Sequence, residues 1–210
     1  MTYLQRKKLA FMSIVNNSVS DGLLPYEYQK LDYIESTGEQ FINTNYVPAE
    51  GDDLVIENVK CRRTSQYQSI FSAGTGTHQL ILLLHTQQGF FKYFATGAAA
   101  VVSLKNTNIL TDFATIKVED GDMSFNNILV ATSVYGGEAN TSLYLFKRAD
   151  DSSYATATIG RVTITNNKST KLDLIPCYRK SDDVVGMYDI VGNKFYTSEG
   201  AAEFLKGVIV

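Results

Sequence analysis

The chain has 210 residues, 44% hydrophobic and 20% charged, a balance that suits one packed domain with a short extension and excludes extensive disorder. Its net charge of −3 removes any global attraction for nucleic acid. Two cysteines, Cys61 and Cys177, cannot make a disulfide framework, and with two histidines and no C-x-x-C spacing a structural zinc site is not expected.

Residues 3–15 carry helical spacing. Leu4, Lys8, Phe11 and Val15 form a stripe, flanked by Tyr3, Ala10 and Ile14. Thr2 and Gln5 complete a capping box, and Asn16-Asn17-Ser18 followed by Asp21-Gly22 ends the helix. The same polar residues interrupt the apolar run Leu9–Val15, and no A-x-A site follows, so a signal peptide is not expected. A helix this short is unstable alone in water and needs a partner. Arg6, Lys7 and Lys8 make either a solvated face or a contact for an acidic partner. Residues 1–23 are therefore expected to be a helical anchor and linker, and residues 24–210 one domain.

After Pro25 the helical spacing gives way to short β-rich runs. In order they are Phe41–Val47, Leu54–Cys61, Gln68–Ala73, Gln79–Leu84, Phe90–Ala95, Ala100–Leu104 and Phe113–Val118. Ile128–Tyr135, Thr141–Phe146, Ile159–Thr165, Lys171–Ile175, Val184–Tyr188 and Lys194–Thr197 follow. Turn signals such as Asp120-Gly121, Gly136-Gly137 and Gly192-Asn193 punctuate them. So many strands without helices imply two stacked antiparallel sheets or a barrel. In Thr141–Phe146, Leu143 and Leu145 should face one way, Tyr144 and Phe146 the other. Gln79–Leu84 is too apolar to wet either face and reads as a central strand. Both cysteines read as small buried hydrophobes, with a single Cys61–Cys177 bridge left open. No apolar run reaches the roughly 18 residues that cross a bilayer, so membrane insertion is not expected.

Three blocks carry a family resemblance: Leu24–Tyr46 (LPYEYQKLDYIESTGEQFINTNY), Leu143–Arg148 with Ile159-Gly160-Arg161-Val162, and Leu174–Thr197 (LIPCYRKSDDVVGMYDIVGNKFYT). They resemble the concanavalin A-like/laminin-G-like domain of bacteriophage virion proteins from phages of gut bacteria. That resemblance implies an all-β fold, a two-sheet antiparallel jelly-roll sandwich behind a short N-terminal α-helix. It also implies a scaffold rather than catalytic residues, since the shared motifs are turns and core positions. Ser36-Thr37-Gly38 suits a turn, and Tyr188 with Phe195-Tyr196 should pack across a hairpin as cross-strand aromatics.

The search for chemistry returns little. The E-x-D-x-x-E carboxylates of laminarinase-like enzymes are missing, and so is a G-x-S-x-G elbow. His78 and His85 point to opposite faces of a regular strand. The chain is therefore expected not to be an enzyme and to need no cofactor. Glu119, Asp120 and Asp122 are weak calcium candidates at a turn; otherwise no metal is expected. Thirteen tyrosines with no tryptophan suit glycan-binding loops as well as strands, and Tyr67, Tyr93, Tyr135 and Tyr154 are the glycan-contact candidates.

With the resemblance, the expected function is a bacteriophage virion structural protein, a head fibre, capsid decoration or tail-associated protein. It would be made in the host cytoplasm and displayed on the particle exterior. Leu4, Arg6, Lys7, Lys8, Phe11, Ile14 and Val15 would contact other virion proteins or copies of the chain, a trimer being expected. The sandwich would meet host or environmental glycans. The alternative is a stand-alone carbohydrate-binding adhesin module, and a glycoside hydrolase ranks below both.

Overall fold

Period-two alternation in the sequence becomes strand after strand in the computed structural model, which describes residues 23–75, 79–95, 100–132, 139–150 and 153–210. The expected helix and its anchor residues lie outside them. The first half of the chain forms β1 (Tyr28–Lys30), β2 (Ile34–Thr37), β3 (Ile42–Asn43), β4 (Asp52–Cys61), β5 (Tyr67–Ala73), β6 (Leu80–His85), β7 (Phe90–Ala95), β8 (Ala100–Ser103) and β9 (Ala114–Glu119). The second half forms β10 (Asp122–Phe125), β11 (Ile128–Ala131), β12 (Tyr144–Leu145), β13 (Thr156–Ile159), β14 (Val162–Asn166), β15 (Ser169–Arg179), β16 (Val185–Asp189), β17 (Lys194–Thr197) and β18 (Leu205–Lys206). Among the described residues the only helical element is the 3-10 turn Leu104–Asn106.

The strands make two antiparallel sheets. The larger runs β11-β10-β9-β4-β14-β15-β16-β17, with β1 beside β15 and with β13, β2 and β18 extending from β4. The smaller runs β3-β12-β5-β6-β7-β8. Ile56, Ile116 and Leu174 of the larger sheet meet Phe71, Leu82 and Phe91 of the smaller in one buried core. As its sequence required, β6 is buried at every position.

Several local features redraw the expected strands. In β4, Leu54 and Ile56 face the core, and a bulge with Asn58 at φ 52° then returns Val59 and Cys61 to the same side. The bulge divides β4 between β14, along Asp52–Ile56, and β13, at Lys60–Cys61. The run Ile159–Thr165 is consequently two strands rather than one. Gly160 lies at the break and donates its N–H to the Glu57 carbonyl (2.7 Å), where an added β-carbon would press on that oxygen at 2.8 Å. Phe146 departs from the expected alternation: its φ of 64° turns the ring into the core, 5.3 Å from Phe204.

The acidic stretch Glu119–Asp122 is a tight hairpin turn, with Asp120 (φ 49°) and Gly121 (φ 85°) at its centre. It leads into β10, a strand absent from the sequence reading, whose Met123 and Phe125 enter the core. Gln40 explains the S-T-G-x-Q motif. Its buried side chain accepts the Thr37 N–H (2.8 Å) and donates to the Glu203 carbonyl (2.9 Å), tying the first turn to the C-terminal segment. Cys61 and Cys177 are free and buried on opposite faces of the larger sheet, so no bridge joins them. Burial pushes both thiols up, Cys177 to about 12.

Candidate functional site

Directly paired residues of antiparallel strands share a face. On the outer face of the larger sheet this rule makes a row of Ile175, Tyr188 and Phe195, since Ile175 pairs with Tyr188 and Tyr188 with Phe195. The next row holds Cys177, Gly186 and Thr197, and Tyr28 beside Arg179 lies beyond it. Gly186 has no side chain to hold the rings apart. The Tyr28 ring therefore packs 4.8 Å from both Tyr188 and Phe195. Leu24, Ile175 and Cys177 seal this second apolar cluster from beneath. The expected packing of Tyr188 and Phe195 across the hairpin is present, joined by a ring from the other end of the chain.

Over the three rings lies a groove of about 600 Å³, lined also by Pro25, Tyr26, Glu27, Arg179, Lys180, Ser181 and Asn193. Tyr26 is 84% exposed, the highest value among the exposed large hydrophobics. Its position is nonetheless set by Lys180. The ammonium donates to the Tyr26 carbonyl (2.7 Å) and sits 4.5 Å from the ring centroid, while the Lys180 N–H donates to the Glu27 carbonyl (2.8 Å). Arg179 lies 5.6 Å over Phe195 and donates through Nε and Nη2 to Asp182 (3.0 and 2.6 Å). That hydrogen bond raises the Arg179 pKa and lowers that of Asp182, so both stay charged. Burial raises the Tyr28 phenol, with Arg179 working against it, and the hydroxyl remains a donor. Among the described residues the hydroxyls of Tyr26, Tyr28 and Tyr188 have no hydrogen-bond partner. The groove thus combines ring faces with uncommitted polar groups.

The tyrosines singled out from the sequence do not make one platform. Tyr93 is fully buried, and its hydroxyl donates to the Gly121 carbonyl (3.0 Å) across the sandwich, a structural role that removes it as a glycan contact. Tyr67 opens β5, with its ring edge-on to His85 at 4.8 Å and with the Lys92 ammonium 5.6 Å from its centroid. Tyr154 packs 6.1 Å from Phe41, where buried Lys147 sits 4.0 Å over Phe41 and 5.8 Å from Tyr154. That cage is filled by the chain's own cation. Tyr135 and His78 lie outside the described residues.

Glu119, Asp120 and Asp122 line a shallow depression with Lys117, Ser124, Asn127 and Leu129. Among the described residues no three His, Cys, Asp or Glu converge on a metal-sized site. The sequence reading missed Tyr26, Arg179, Lys180 and Asn193. No local signal marked them, since Tyr26 and Glu27 form a turn closed by the Tyr28 N–H on the Pro25 carbonyl (3.0 Å), placed by the pairing of β1 with β15.

The two packed sheets define the fold class, a two-sheet antiparallel β-sandwich with an aromatic groove on its outer face. No protein-family model matches the chain, and no curated protein is similar to it in sequence. Among solved structures it is similar to a candidate carbohydrate-binding protein from Bacteroides ovatus ATCC 8483, with TM-score 0.52 and 12% identity over 85% of this chain. The chain spans 60% of that protein's length. It is also similar to a heptameric SAP-like pentraxin from Limulus polyphemus, with TM-score 0.51 and 8% identity over 88% of this chain and 97% of the pentraxin. At these identities the likeness is one of fold.

Proposed function

We propose that this chain is a carbohydrate-binding β-sandwich module that holds saccharide in the Tyr26–Tyr28–Tyr188–Phe195 groove without chemical turnover. The observation that carries this reading is the exposed Tyr26 ring beside three tyrosine hydroxyls with no partner among the described residues. Sugar rings offer an apolar C–H face and a periphery of hydroxyls, and such a groove meets both needs. The Bacteroides ovatus neighbour, described as a candidate carbohydrate-binding protein, supports the reading through its fold. The test is a glycan array followed by titration calorimetry. Tyr26→Ala should weaken the array's best ligand by about tenfold, the worth of one aromatic contact, with the fold intact by circular dichroism. An array with no hits above background overturns the proposal.

The particle exterior is the second reading, favoured by the resemblance of residues 24–46 and 174–197 to phage virion proteins and by the amphipathic spacing of residues 3–15. Its partners would be other virion proteins and copies of the chain, as a trimer. Deleting residues 1–20 should leave a folded sandwich that no longer joins particles. Assembly of the truncated chain onto virions at wild-type level rejects this reading.

A further inference from the structure

The rim of the groove carries charges of both signs, and their pairing bears on which sugars fit. Arg179 is committed to Asp182 through two of its nitrogens, so that corner is neutral as a unit. Among the described residues Lys180 makes no ion pair; its ammonium contacts the Tyr26 carbonyl and ring. Among the described residues Glu27 makes none either, although the Lys180 N–H bonds its carbonyl and both residues line the groove. The rim therefore presents one ammonium and one carboxylate that no opposite charge among the described residues neutralises. An anionic sugar that gains from Lys180 meets Glu27, and a cationic one that gains from Glu27 meets Lys180. A neutral polyol meets no like charge, because each hydroxyl can donate to a carboxylate and accept from an ammonium. The hydroxyls of Tyr26, Tyr28 and Tyr188 do both as well.

Resting on the carbohydrate-binding reading, we infer that the groove selects neutral saccharides, with Glu27 as the group that rejects acidic ones. Lys180 has a second role as a positioning residue, because it fixes the exposed ring on which a sugar would stack.

Titration calorimetry of the full chain tests this with two sets of probes. The neutral set is oligosaccharides of cellulose, laminarin, mannan and xylan; the acidic set is oligogalacturonate and heparin fragments. The wild type should bind at least one neutral probe, with affinity changing less than about twofold between low and high salt, since no net charge is neutralised. It should bind the acidic probes at least about tenfold more weakly, the cost of one like charge at the rim. Glu27→Gln keeps an acceptor oxygen and removes the charge. It should shift the ratio of acidic to neutral affinity by about tenfold toward the acidic probes. Tighter binding of acidic probes by the wild type, falling steeply with salt, overturns neutral selection and leaves carbohydrate binding standing. An unchanged preference in Glu27→Gln overturns the role given to Glu27. Binding of neither set, with no hits on the array, overturns the carbohydrate-binding reading and this inference together.

Discussion

Replacing Gly186 by valine is expected to destabilise the protein by about 3 kcal/mol or more, at the upper end of overpacking penalties. A β-carbon at 186 would overlap the Tyr196 carbonyl oxygen on the neighbouring strand and press on the Phe195 ring at 3.0 Å. The oxygen belongs to backbone in the β16–β17 ladder, so it cannot swing aside as a flexible side chain would. Val185 and Met187 hold the same strand to the core, which prevents β16 from lifting to make room. Chemical denaturation should show a lowered midpoint with an unchanged slope. Tyrosine fluorescence should report a disturbed Tyr28–Tyr188–Phe195 cluster. A Gly186→Ala variant within about 0.5 kcal/mol of wild type, the range of an ordinary surface change, would reject this account of the glycine.

The second large effect is expected at Arg161. Its Nε and Nη2 donate to both carboxylate oxygens of Asp173 (2.7 and 2.5 Å), and Asp173 is only 5% exposed. Arg161→Leu would leave a buried carboxylate without its fork. Removing one partner of a buried pair costs about 3–5 kcal/mol, and the partial exposure of Arg161 places the expected loss near 2–3 kcal/mol. The double variant Arg161→Leu with Asp173→Asn should recover part of that loss, because the charge is no longer stranded. Stability measured through the four-member cycle decides the matter. Strictly additive losses would mean that the pair contributes no coupling.

These effects reach the groove by different routes. Gly186 lies under the aromatic floor itself. Asp173 sits on β15 two residues before Ile175, and its backbone N–H donates to Asp189 of β16 (3.2 Å). The Asp189 carboxylate also accepts the Val191 N–H (3.0 Å) and so shapes the turn that carries Asn193. Loss of the ion pair should therefore loosen the β16–β17 turn before it disturbs the core.

The amino-acid sequence by itself determined the all-β class, most strand positions and the burial of both faces of β6. Those features are local: alternation, apolar runs and turn dipeptides act within a few residues. The end blocks also marked Tyr188 with Phe195-Tyr196 as cross-strand aromatics of a hairpin. Strands held by few apolar residues, such as β1 and β18, were not legible, because their pairing partners rather than their own pattern make them strands. The split between β13 and β14 depended on a bulge in β4, about a hundred residues away in sequence. Only the tertiary structure decided the site. It removed Tyr93 to the core, filled the Tyr154 cage with Lys147, and brought Tyr26 to Lys180 across 154 residues. Ring faces and rim charges become a groove when β1 docks on β15, and that docking is a long-range pairing which no local spacing encodes.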